Sequence, residues 1–594
     1  MTSKKAKTNQ RKSPALLTVA EKTNYTATSR FADVETFLFE LKSLCPQMSL
    51  TTFGSTTEGR PLYLAVFSNT NVRTPIDAIK SGKPIVLLQN NIHAGEVCPK
   101  EASMILMRDI AFGNLNELLE KLVILVVPVY NADGNERISE ANRLSQIGPE
   151  NGVGIRTNAI GLDLNRDYMK IEAKETLHLI RDLYVAWQPD VIVDGHTTDG
   201  SRHGYDLTYG FPQNPNANKG LIEFTRDIML PEVSEKIKKD TGIDMFFYAD
   251  FVDFKNPSAG WATYSHHARY GAAYGGLQNR ISILMETYSY VSFKKRVVAA
   301  YHFMRECLEY SARNDRKIRD IVSRAERDAV RRGENYDENL NRIGIEIKKV
   351  AFDKKVSVIG YEIAERKNPD GSVRYEATKK KKVYEAPYFG KYEMTKTVTR
   401  PLGYFIPKAE RRIVEKLLLH GIVVETLLRE FRIKCEFYDV KSVKASEQCF
   451  QAHREVTVEV ERKPITLTLN KDDFYVPMNQ VSSHVVAGLL EPDSDDSLAH
   501  WNYFDNYLTG KLRFEKDFVT EYEYNLIDLP RTKEIYEKLI DKNPSLNEER
   551  KKEEKMKFFW TAVGYGNEFN NIIPVYRQIE KKVIPSMLFN HEKN

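Results

Sequence analysis

The chain has 594 residues, of which 42% are hydrophobic and 28% charged, so we expect two to four soluble domains. Its formal net charge of +5 is small against 87 basic and 82 acidic residues, which excludes the strongly basic balance of a dedicated nucleic-acid-binding chain. Five scattered cysteines without a CxxC pair argue against a disulfide framework and favour a reducing compartment.

The N-terminal segment is basic and carries only a short apolar run, PALLTVA, which is too short for the core of a signal peptide. We expect residues 1–30 to form a mobile basic tail. No apolar run approaches the ~20 residues that a membrane-spanning helix needs. We therefore expect a cytoplasmic protein without a membrane span, with export as the alternative.

Residues 31–312 alternate between apolar runs and helical patterns. The runs read as buried strands at 84–92, 122–130, 191–195 and 281–288, and the helices fall at 99–111, 174–187 and 219–239. Near-continuous apolar strands separated by helices predict an α/β fold with a mixed, largely parallel central sheet flanked by helices.

After residue 312 the pattern changes to one charged helix, at 316–342, followed by short alternating runs. Half-exposed antiparallel strands are predicted at 356–363, 454–464 and 465–470, and a further helix at 409–421. We therefore expect a catalytic domain at 31–312, an accessory mixed α/β domain rich in antiparallel strands at 313–514, and a mostly helical segment at 515–594. The lysine run 379–382 fits a solvated hairpin, so no nucleic-acid partner is expected.

Chemically capable residues stand at the ends of the predicted strands of the first domain. His93 and Glu96 follow the strand 84–92, His196 follows the next, and Glu286 lies in the last. Ligands of open α/β sheets bind at the carboxyl ends of strands, and two His with one Glu are a standard ligand set of catalytic zinc. An isolated H-x-x-E is more often ordinary loop chemistry, so the prediction of one Zn²⁺ rests on all these residues together.

In their order along the chain, these motifs resemble the carboxypeptidase A-like zinc metallopeptidases, in particular a bacterial-type branch with a C-terminal extension. The resemblance covers residues 31–310. It runs through TFGSTTEGRPL (52–62), NIHAGE (91–96), VPVYNADGNER (127–137), GIRTNAIGLDLNRDY (154–168) and ILMETYSY (283–290). It implies a zinc carboxypeptidase-like fold and a metalloprotease that hydrolyses the C-terminal peptide bond of peptides or proteins.

The resemblance also implies roles for individual residues. His93, Glu96 and His196 match the ligands of a single Zn²⁺, and Glu286 matches the glutamate that activates the zinc-bound water. Asp163 matches the carboxylate that orients the first zinc histidine.

The substrate-contacting residues follow from the same motifs. Arg156 matches the arginine that stabilises the oxyanion, while Asn165 and Arg166 match the pair that binds the C-terminal carboxylate of the substrate. The tyrosine that caps the bound substrate has three candidates, Tyr264, Tyr270 and Tyr274, of which the YGGLQN context favours Tyr274.

Three other functions stay open at this point. One is a zinc amidase or endopeptidase on the same scaffold, acting on a peptidoglycan stem peptide or an acylated amino acid. Another is an inactive binding module, and a third is a structural role centred on the C-terminal half. The preferred C-terminal residue is also open, with Asp199, Arg202, His203, Asp250 and Asp253 as candidate pocket residues, and so is the oligomeric state.

Overall fold

The computed structural model describes residues 16–70, 72–339, 341–512, 529–541, 551, 558 and 572–589. Contacts within the chain divide it into two units. The first comprises Met1–Arg400, Lys416–Ile422 and Asn479–Ala487, and the second Pro401–Glu415, Val423–Met478 and Gly488–Asn594. These limits differ from the predicted domain ends at residues 312 and 514.

The first unit contains the strands of one large sheet and of three smaller ones. In chain order they are β1 (Met48–Ser55), β2 (Pro61–Phe67), β3 (Ile85–Asn90), β4 (Val123–Val127), β5 (Val191–Thr198), β6 (Leu207–Gly210), β7 (Met245–Phe247), β8 (Asp250–Phe251), β9 (Trp261–Ala262), β10 (Ile281–Tyr288), β11 (Arg342–Val350), β12 (Val356–Lys367), β13 (Val373–Ala386), β14 (Tyr388–Phe389) and β15 (Lys391–Thr399).

The large sheet has the strand order β1-β2-β4-β3-β5-β10-β6-β7. Its central pairs β4-β3, β3-β5 and β5-β10 are parallel, whereas β1-β2, β2-β4 and β10-β6 are antiparallel. All residues of β3, β4, β5 and β10 are buried, as expected for strands covered on both faces. The predicted mixed, largely parallel sheet is confirmed.

Helices cover this sheet and bury one apolar core with it. They are α1 (Val19–Lys22), α2 (Phe31–Leu44), α3 (Pro75–Lys80), α4 (Cys98–Phe112), α5 (Ala132–Glu136), α6 (Lys174–Leu177), α7 (Lys219–Phe224), α8 (Leu230–Thr241), α9 (Gly271–Leu277), α10 (Phe293–Arg313) and α11 (Asp315–Gly333). The two long predicted helices 174–187 and 219–239 are interrupted by π-helical turns at His178–Val185 and Thr225–Met229. No helix among the described residues is both long and apolar enough to cross a membrane.

Residues 16–30, which the sequence assigns to a mobile tail, are packed against α4. Lys100 and Glu101 are fully buried on that helix and need polar partners. Lys100 Nζ donates to the Ser29 carbonyl at 2.5 Å, and the Ser29 amide donates to Glu101 at 2.6 Å. Arg108 donates to the carbonyl of Leu16 at 2.9 Å. The rest of the predicted tail, residues 1–15, lies outside the described part of the chain.

The second unit is built on a seven-stranded sheet, in the order β19-β18-β21-β16-β20-β17-β22. Its strands are β16 (Gly403–Ile406), β17 (Glu425–Leu427), β18 (Phe431–Ala445), β19 (Val456–Leu469), β20 (Phe474–Pro477), β21 (Ile572–Gln578) and β22 (Ser586–Leu588). The two strands predicted at 454–464 and 465–470 are the single strand β19. Pro464 lies inside it without breaking it, because β19 is an edge strand and needs no second partner there.

The remaining helices within the described residues are α12 (Arg411–Leu419), α13 (Ser483–Leu490), α14 (Asp505–Leu512) and α15 (Pro530–Asp541). Both α12 and α13 include residues of each unit. Much of the predicted helical segment 515–594 lies outside the described residues. Its described part holds α15 but also β21 and β22, which pair with β16, β17 and β18.

A buried ion cluster ties the strands of the second unit together. Glu491 is fully buried and accepts from Arg462 at 2.7 Å, from Arg577 at 3.0 Å and from the Tyr404 hydroxyl at 2.7 Å. Burial opposes ionisation, but the two guanidinium groups lower the pKa of Glu491 to about 2 from its ordinary value of 4.5. The folded state therefore holds Glu491 charged where the unfolded chain has begun to protonate it.

We expect Glu491→Gln to destabilise the protein by about 3 kcal/mol at pH 7, because it removes the buried negative charge that Arg462 and Arg577 share. The contribution is complete above about pH 4.5 and is lost as the pH falls toward 2, since the folded pKa is the lower one. Thermal unfolding at several pH values measures both effects. Glu461→Gln, on an exposed carboxylate paired with Lys441 at 2.9 Å, is the matched control. Equal melting temperatures for the two variants would contradict the cluster's role.

Candidate functional site

The register of the central strands brings the predicted site residues together. In the parallel pair β5-β10, Glu286 stands beside His196, and in the pair β3-β5, Asn90 stands beside Gly195. The chain leaves β3 at Asn90 and reaches His93 three residues later. The end of β3 and the last residues of β5 and β10 therefore lie at the same edge of the sheet.

The loop that carries His93 and Glu96 is held by asparagines. Asn91 adopts a left-handed conformation (φ 63°), which asparagine tolerates better than most residues, and its side-chain amide donates to Ala94 at 3.2 Å. The Asn131 side chain donates to the Ile92 carbonyl at 3.2 Å. The Glu96 amide then donates to the His93 carbonyl at 2.9 Å, which turns both side chains to the same side.

Gly95, between the two predicted ligands, has no room for a side chain. A Cβ there would lie 2.7 Å from the Gly154 carbonyl oxygen and 2.5 Å from the Arg143 side chain. The loop 91–96 thus runs in direct contact with the segment that leads to Arg156.

His93, Glu96 and His196 form a buried group whose potential ligand atoms all lie within 4.8 Å of one another. The His93 Nδ1 atom is 3.0 Å from Glu96 Oε1, and the His196 Nδ1 atom is 3.1 Å from Glu96 Oε2. The two Nδ1 atoms are 3.2 Å apart. Two imidazole nitrogens and a carboxylate facing each other at these distances suit a shared cation, and they are a preferred donor set of zinc.

A carboxylate behind each histidine decides which ring nitrogen faces the group. Asp163 Oδ1 lies 3.0 Å from His93 Nε2, and Asp194 Oδ2 lies 3.0 Å from His196 Nε2. A carboxylate at Nε2 favours the tautomer protonated there and leaves Nδ1 free as a ligand. Both histidines would therefore bind a metal through Nδ1.

Charge is concentrated at this edge of the sheet. Burial alone would raise the pKa of the carboxyl groups here. The neighbouring His93 and Arg143 nevertheless hold the pKa of Glu96 well below its usual range. In the same way, His93, Arg166 and Arg156 lower the pKa of Asp163. Burial, opposed by His196 and reinforced by Glu96, raises the pKa of Glu286 to about 8. The Glu286 Oε2 atom is buried and has no hydrogen-bond partner within the described chain.

These residues line a cavity of about 340 Å³. Its lining is His93, Glu96, Arg143, Arg156, Asn165, Arg166, His196, Thr197, Thr198, Asp199, Tyr248, Tyr264, Ser265, Tyr270, Ala272, Leu284 and Glu286. The three predicted ligands, Glu286, Arg156, Asn165 and Arg166 are all among them.

The DLNR segment is arranged around Asp163. Arg156 Nε donates to Asp163 Oδ2 at 2.9 Å, and the Asn165 amide donates to Asp163 Oδ1 at 2.9 Å. The guanidinium of Arg166 lies 4.2 Å from the ring centre of Tyr270. One carboxylate thus orients the histidine His93 and fixes the arginine Arg156 beside it.

Two residues of the site were missed by the sequence reasoning. Asp194 had a readable signal, because residues two apart on a strand share a face and it precedes His196 by two. Arg143 had none: it lies in an irregular segment with a left-handed backbone (φ 50°), yet its guanidinium is 3.1 Å from Glu96 and donates to the Thr197 carbonyl at 2.9 Å.

Tyr274, the favoured capping tyrosine, is not among the residues that line the cavity. It is fully buried on α9, where its hydroxyl pairs with His420 Nδ1 at 2.9 Å and accepts from Gln278 at 2.8 Å. The seven residues of α9 are all buried, so this helix carries Tyr274 into the core. The other two candidates, Tyr264 and Tyr270, do line the cavity.

Of the candidate residues for the specificity pocket, only some line the cavity. Asp199 lines the cavity, whereas Arg202, His203, Asp250 and Asp253 are not part of its lining. His203 is buried against the ring of Tyr288, with ring centres 4.0 Å apart, and burial lowers its pKa to about 3.

The chain is similar in sequence to known carboxypeptidases. Residues 34–183 match a family model described as zinc carboxypeptidase. Carboxypeptidase 2 of Trichophyton rubrum is 22% identical over 460 residues, which cover 74% of this chain and 78% of that protein. Carboxypeptidase D of Mus musculus is 32% identical over 134 residues, which cover 20% of this chain and 10% of that protein.

Two solved carboxypeptidase structures resemble part of this chain, both with low TM-scores. A metallo-carboxypeptidase from Burkholderia cenocepacia has a TM-score of 0.35 and 18% identity over 47% of this chain and 68% of that one. The carboxypeptidase A from Helicoverpa armigera has a TM-score of 0.36 and 16% identity over 50% of this chain and 74% of that one. The matched family model and these curated relatives are all described as carboxypeptidases.

We expect Asp194→Asn and Asp163→Asn each to weaken zinc binding by about 10- to 100-fold, because each removes the carboxylate that sets the tautomer of one histidine. Competition with a zinc-binding dye measures the affinity without reference to activity. Asp199→Asn, a carboxylate of the same cavity bound to Ser145 at 2.7 Å, serves as the control. An unchanged zinc affinity in Asp194→Asn would remove this residue from the metal site.

Proposed function

We propose that the first unit is a zinc-dependent carboxypeptidase that hydrolyses the C-terminal peptide bond of peptides and proteins, with one Zn²⁺ per chain. The observation that carries the proposal is a single cavity lined by the group His93, Glu96 and His196, by Glu286, and by the arginines Arg156 and Arg166. The cavity therefore offers residues for metal binding, proton transfer, oxyanion stabilisation and binding of the substrate carboxylate.

His93 Nδ1, His196 Nδ1 and a Glu96 oxygen would hold the zinc. The metal, when bound, polarises the scissile carbonyl and lowers the pKa of water. The chain's own contribution begins with orientation, since Asp163 and Asp194 keep both rings turned toward Glu96.

Glu286 acts as the general base and acid. Its carboxylate accepts the proton of the attacking water and later gives it to the leaving amine. Burial raises the pKa of Glu286, whereas a zinc ion beside it would lower that pKa again, so the carboxylate can accept the proton and later return it. The register that sets Glu286 beside His196 keeps it next to the metal group.

The arginines provide fixed positive charge where negative charge develops. Arg156 is held by Asp163 through Nε, and its Nη1 atom stays 3.8 Å from Glu96, so the guanidinium reaches the edge of the metal group. A preorganised cation at this place stabilises the oxyanion of the transition state more than the neutral carbonyl. Arg143, against Glu96, adds a second positive charge.

Arg166 and Asn165 bind the free carboxylate of the substrate. A guanidinium presents two parallel donors that match a carboxylate, and Arg166 is partly exposed to the cavity. The Asn165 side-chain oxygen accepts from the Gly271 amide at 2.9 Å, which leaves its NH₂ group available as a donor. This pair supports an exopeptidase over an endopeptidase.

We expect Glu286→Gln to keep its zinc and lose activity by about 10² to 10⁴-fold in kcat, because the amide cannot accept the proton of the water. The assay is release of the last residue from benzoyl-Gly-Phe, benzoyl-Gly-Lys and benzoyl-Gly-Glu, with bound zinc measured in parallel. Glu120→Gln, on an exposed residue that is not part of the cavity lining, is the control. Zinc binding without cleavage of any free C-terminus by the wild type would contradict the carboxypeptidase proposal and leave the amidase.

We expect Arg166→Lys to lower kcat/KM for these peptides by about 10- to 100-fold, mainly through KM, because lysine keeps the charge but loses the second donor to the carboxylate. C-terminally amidated peptides test the same contact from the substrate side and should be cleaved poorly by the wild type. Arg305→Lys, an arginine on α10 paired with Glu309 at 2.9 Å, is the control. Equal cleavage of amidated and free peptides would contradict the role of Arg166.

A further inference from the structure

The irregular segment 263–270, here called the site loop, contributes three residues to the cavity. Tyr264, Ser265 and Tyr270 line it, and the ring of Tyr270 packs against the guanidinium of Arg166. No helix or strand includes these eight residues. Their position therefore depends on contacts from outside the loop, since irregular backbone must find its hydrogen-bond partners elsewhere.

The strands that follow residue 340 supply several of these contacts through their main chain. The strand β14 pairs in parallel with β9, directly before the site loop. The Trp261 amide donates to the Pro387 carbonyl at 2.9 Å, and the Thr263 amide donates to the Phe389 carbonyl at 3.0 Å. The entry to the site loop is thus one strand of a small sheet completed by residues far along the sequence.

The strands β11 and β15 pair as the two arms of a long hairpin, whose arms are joined through β12, β13 and β14, and side chains of these arms reach the loop itself. The Tyr392 hydroxyl donates to the Tyr264 carbonyl at 2.6 Å, and its ring centre is 4.7 Å from that of His266. The partly exposed Lys349 donates to the Thr263 carbonyl. Lys349 and Tyr392 are direct partners in the register of the hairpin, so they act on neighbouring carbonyls from one place.

The hairpin is anchored independently of the site loop. The Asn216 side chain donates to the Gly344 carbonyl at 3.0 Å and accepts from the Gly344 amide at 2.8 Å. A two-stranded hairpin is marginally stable alone, and this reciprocal pair fixes its other end to the body of the first unit. The hairpin can therefore hold the loop rather than follow it.

We propose that the hairpin β11-β15 positions the site loop for the substrate, with Tyr392 as the main positioning residue and Lys349 as its helper. The inference rests on the proposed carboxypeptidase function, since the loop is taken to contact a bound peptide through Tyr264, Ser265 and Tyr270. Packing alone does not account for the contacts, because Tyr392 and Lys349 direct polar groups to main-chain carbonyls of the loop.

The test compares Tyr392→Phe with Tyr384→Phe in the full-length, zinc-loaded protein. Tyr384 is a matched control, because it also lies on a strand of the first unit and its hydroxyl also donates to a main-chain carbonyl, that of Tyr361 at 2.8 Å. Each variant loses one hydroxyl and keeps its ring. A purely structural role predicts similar effects for both.

The rate of amide hydrogen exchange in peptides covering 263–270 measures how firmly the site loop is held. The kinetics of cleavage of benzoyl-Gly-Phe, benzoyl-Gly-Lys and benzoyl-Gly-Glu measure the effect on substrate binding and turnover. For Tyr392→Phe we expect several-fold faster exchange in the site loop and a rise of about 3- to 10-fold in KM, with kcat changed less than 2-fold. Tyr384→Phe should leave both unchanged. Lys349→Met added to Tyr392→Phe should increase both effects.

If the exchange rate of the site loop is unchanged in the double variant, the hairpin does not hold the loop. If exchange is faster but KM stays equal to that of the Tyr384→Phe control, the hairpin does not position the loop for the substrate. A wild-type protein that binds zinc but neither binds nor cleaves the peptides would overturn the proposed function instead, and the exchange comparison would then still decide whether the hairpin holds the loop.

Discussion

The parallel pairing of three buried strands, β3, β5 and β10, is the constraint on which the rest of the site depends. Strand side chains alternate between the two faces, so a slip of one residue would send His196 and Glu286 to opposite sides of the sheet. The slip is prevented by burial, because every residue of these strands is covered and a shifted register would exchange apolar for polar groups in the core. The geometry of the site is therefore stabilised by the whole sheet rather than by the site's own contacts.

That stability is needed because the site itself is an assembly of buried charges. Glu96, Asp163 and Asp194 surround the two histidines, and Glu286 adds a fourth carboxyl group. Charges removed from water persist only when they are paired, and Arg143 and Arg156 pair with part of this set. A divalent cation between the Nδ1 atoms would balance more of it. The arrangement thus makes metal binding favourable.

Local patterns in the sequence predicted the parts of this site that depend on local order. Continuous apolar runs indicated the central strands, and the order of His93, Glu96, His196 and Glu286 after them indicated a metal site. Contacts between distant segments could not be read in this way. Arg143 reaches Glu96 only because the chain folds back, and α9 turns its tyrosine into the core although its sequence context resembles that of a capping loop.

The end of the first unit also depends on contacts between distant segments. At residue 312 the chain changes from apolar runs to charged helix and half-exposed strands, which is typical of the start of a new domain. The first unit nevertheless continues to Arg400, because β14 completes the sheet of β9 and the hairpin β11-β15 supplies partners for the loop beyond it. The composition of a segment predicts how exposed it is. Which unit the segment belongs to depends instead on the backbone groups with which it forms hydrogen bonds. A short chain ending at residue 312 would retain every predicted catalytic residue and still lack the groups that hold Thr263 and Tyr264, so its activity would not measure that of the intact site.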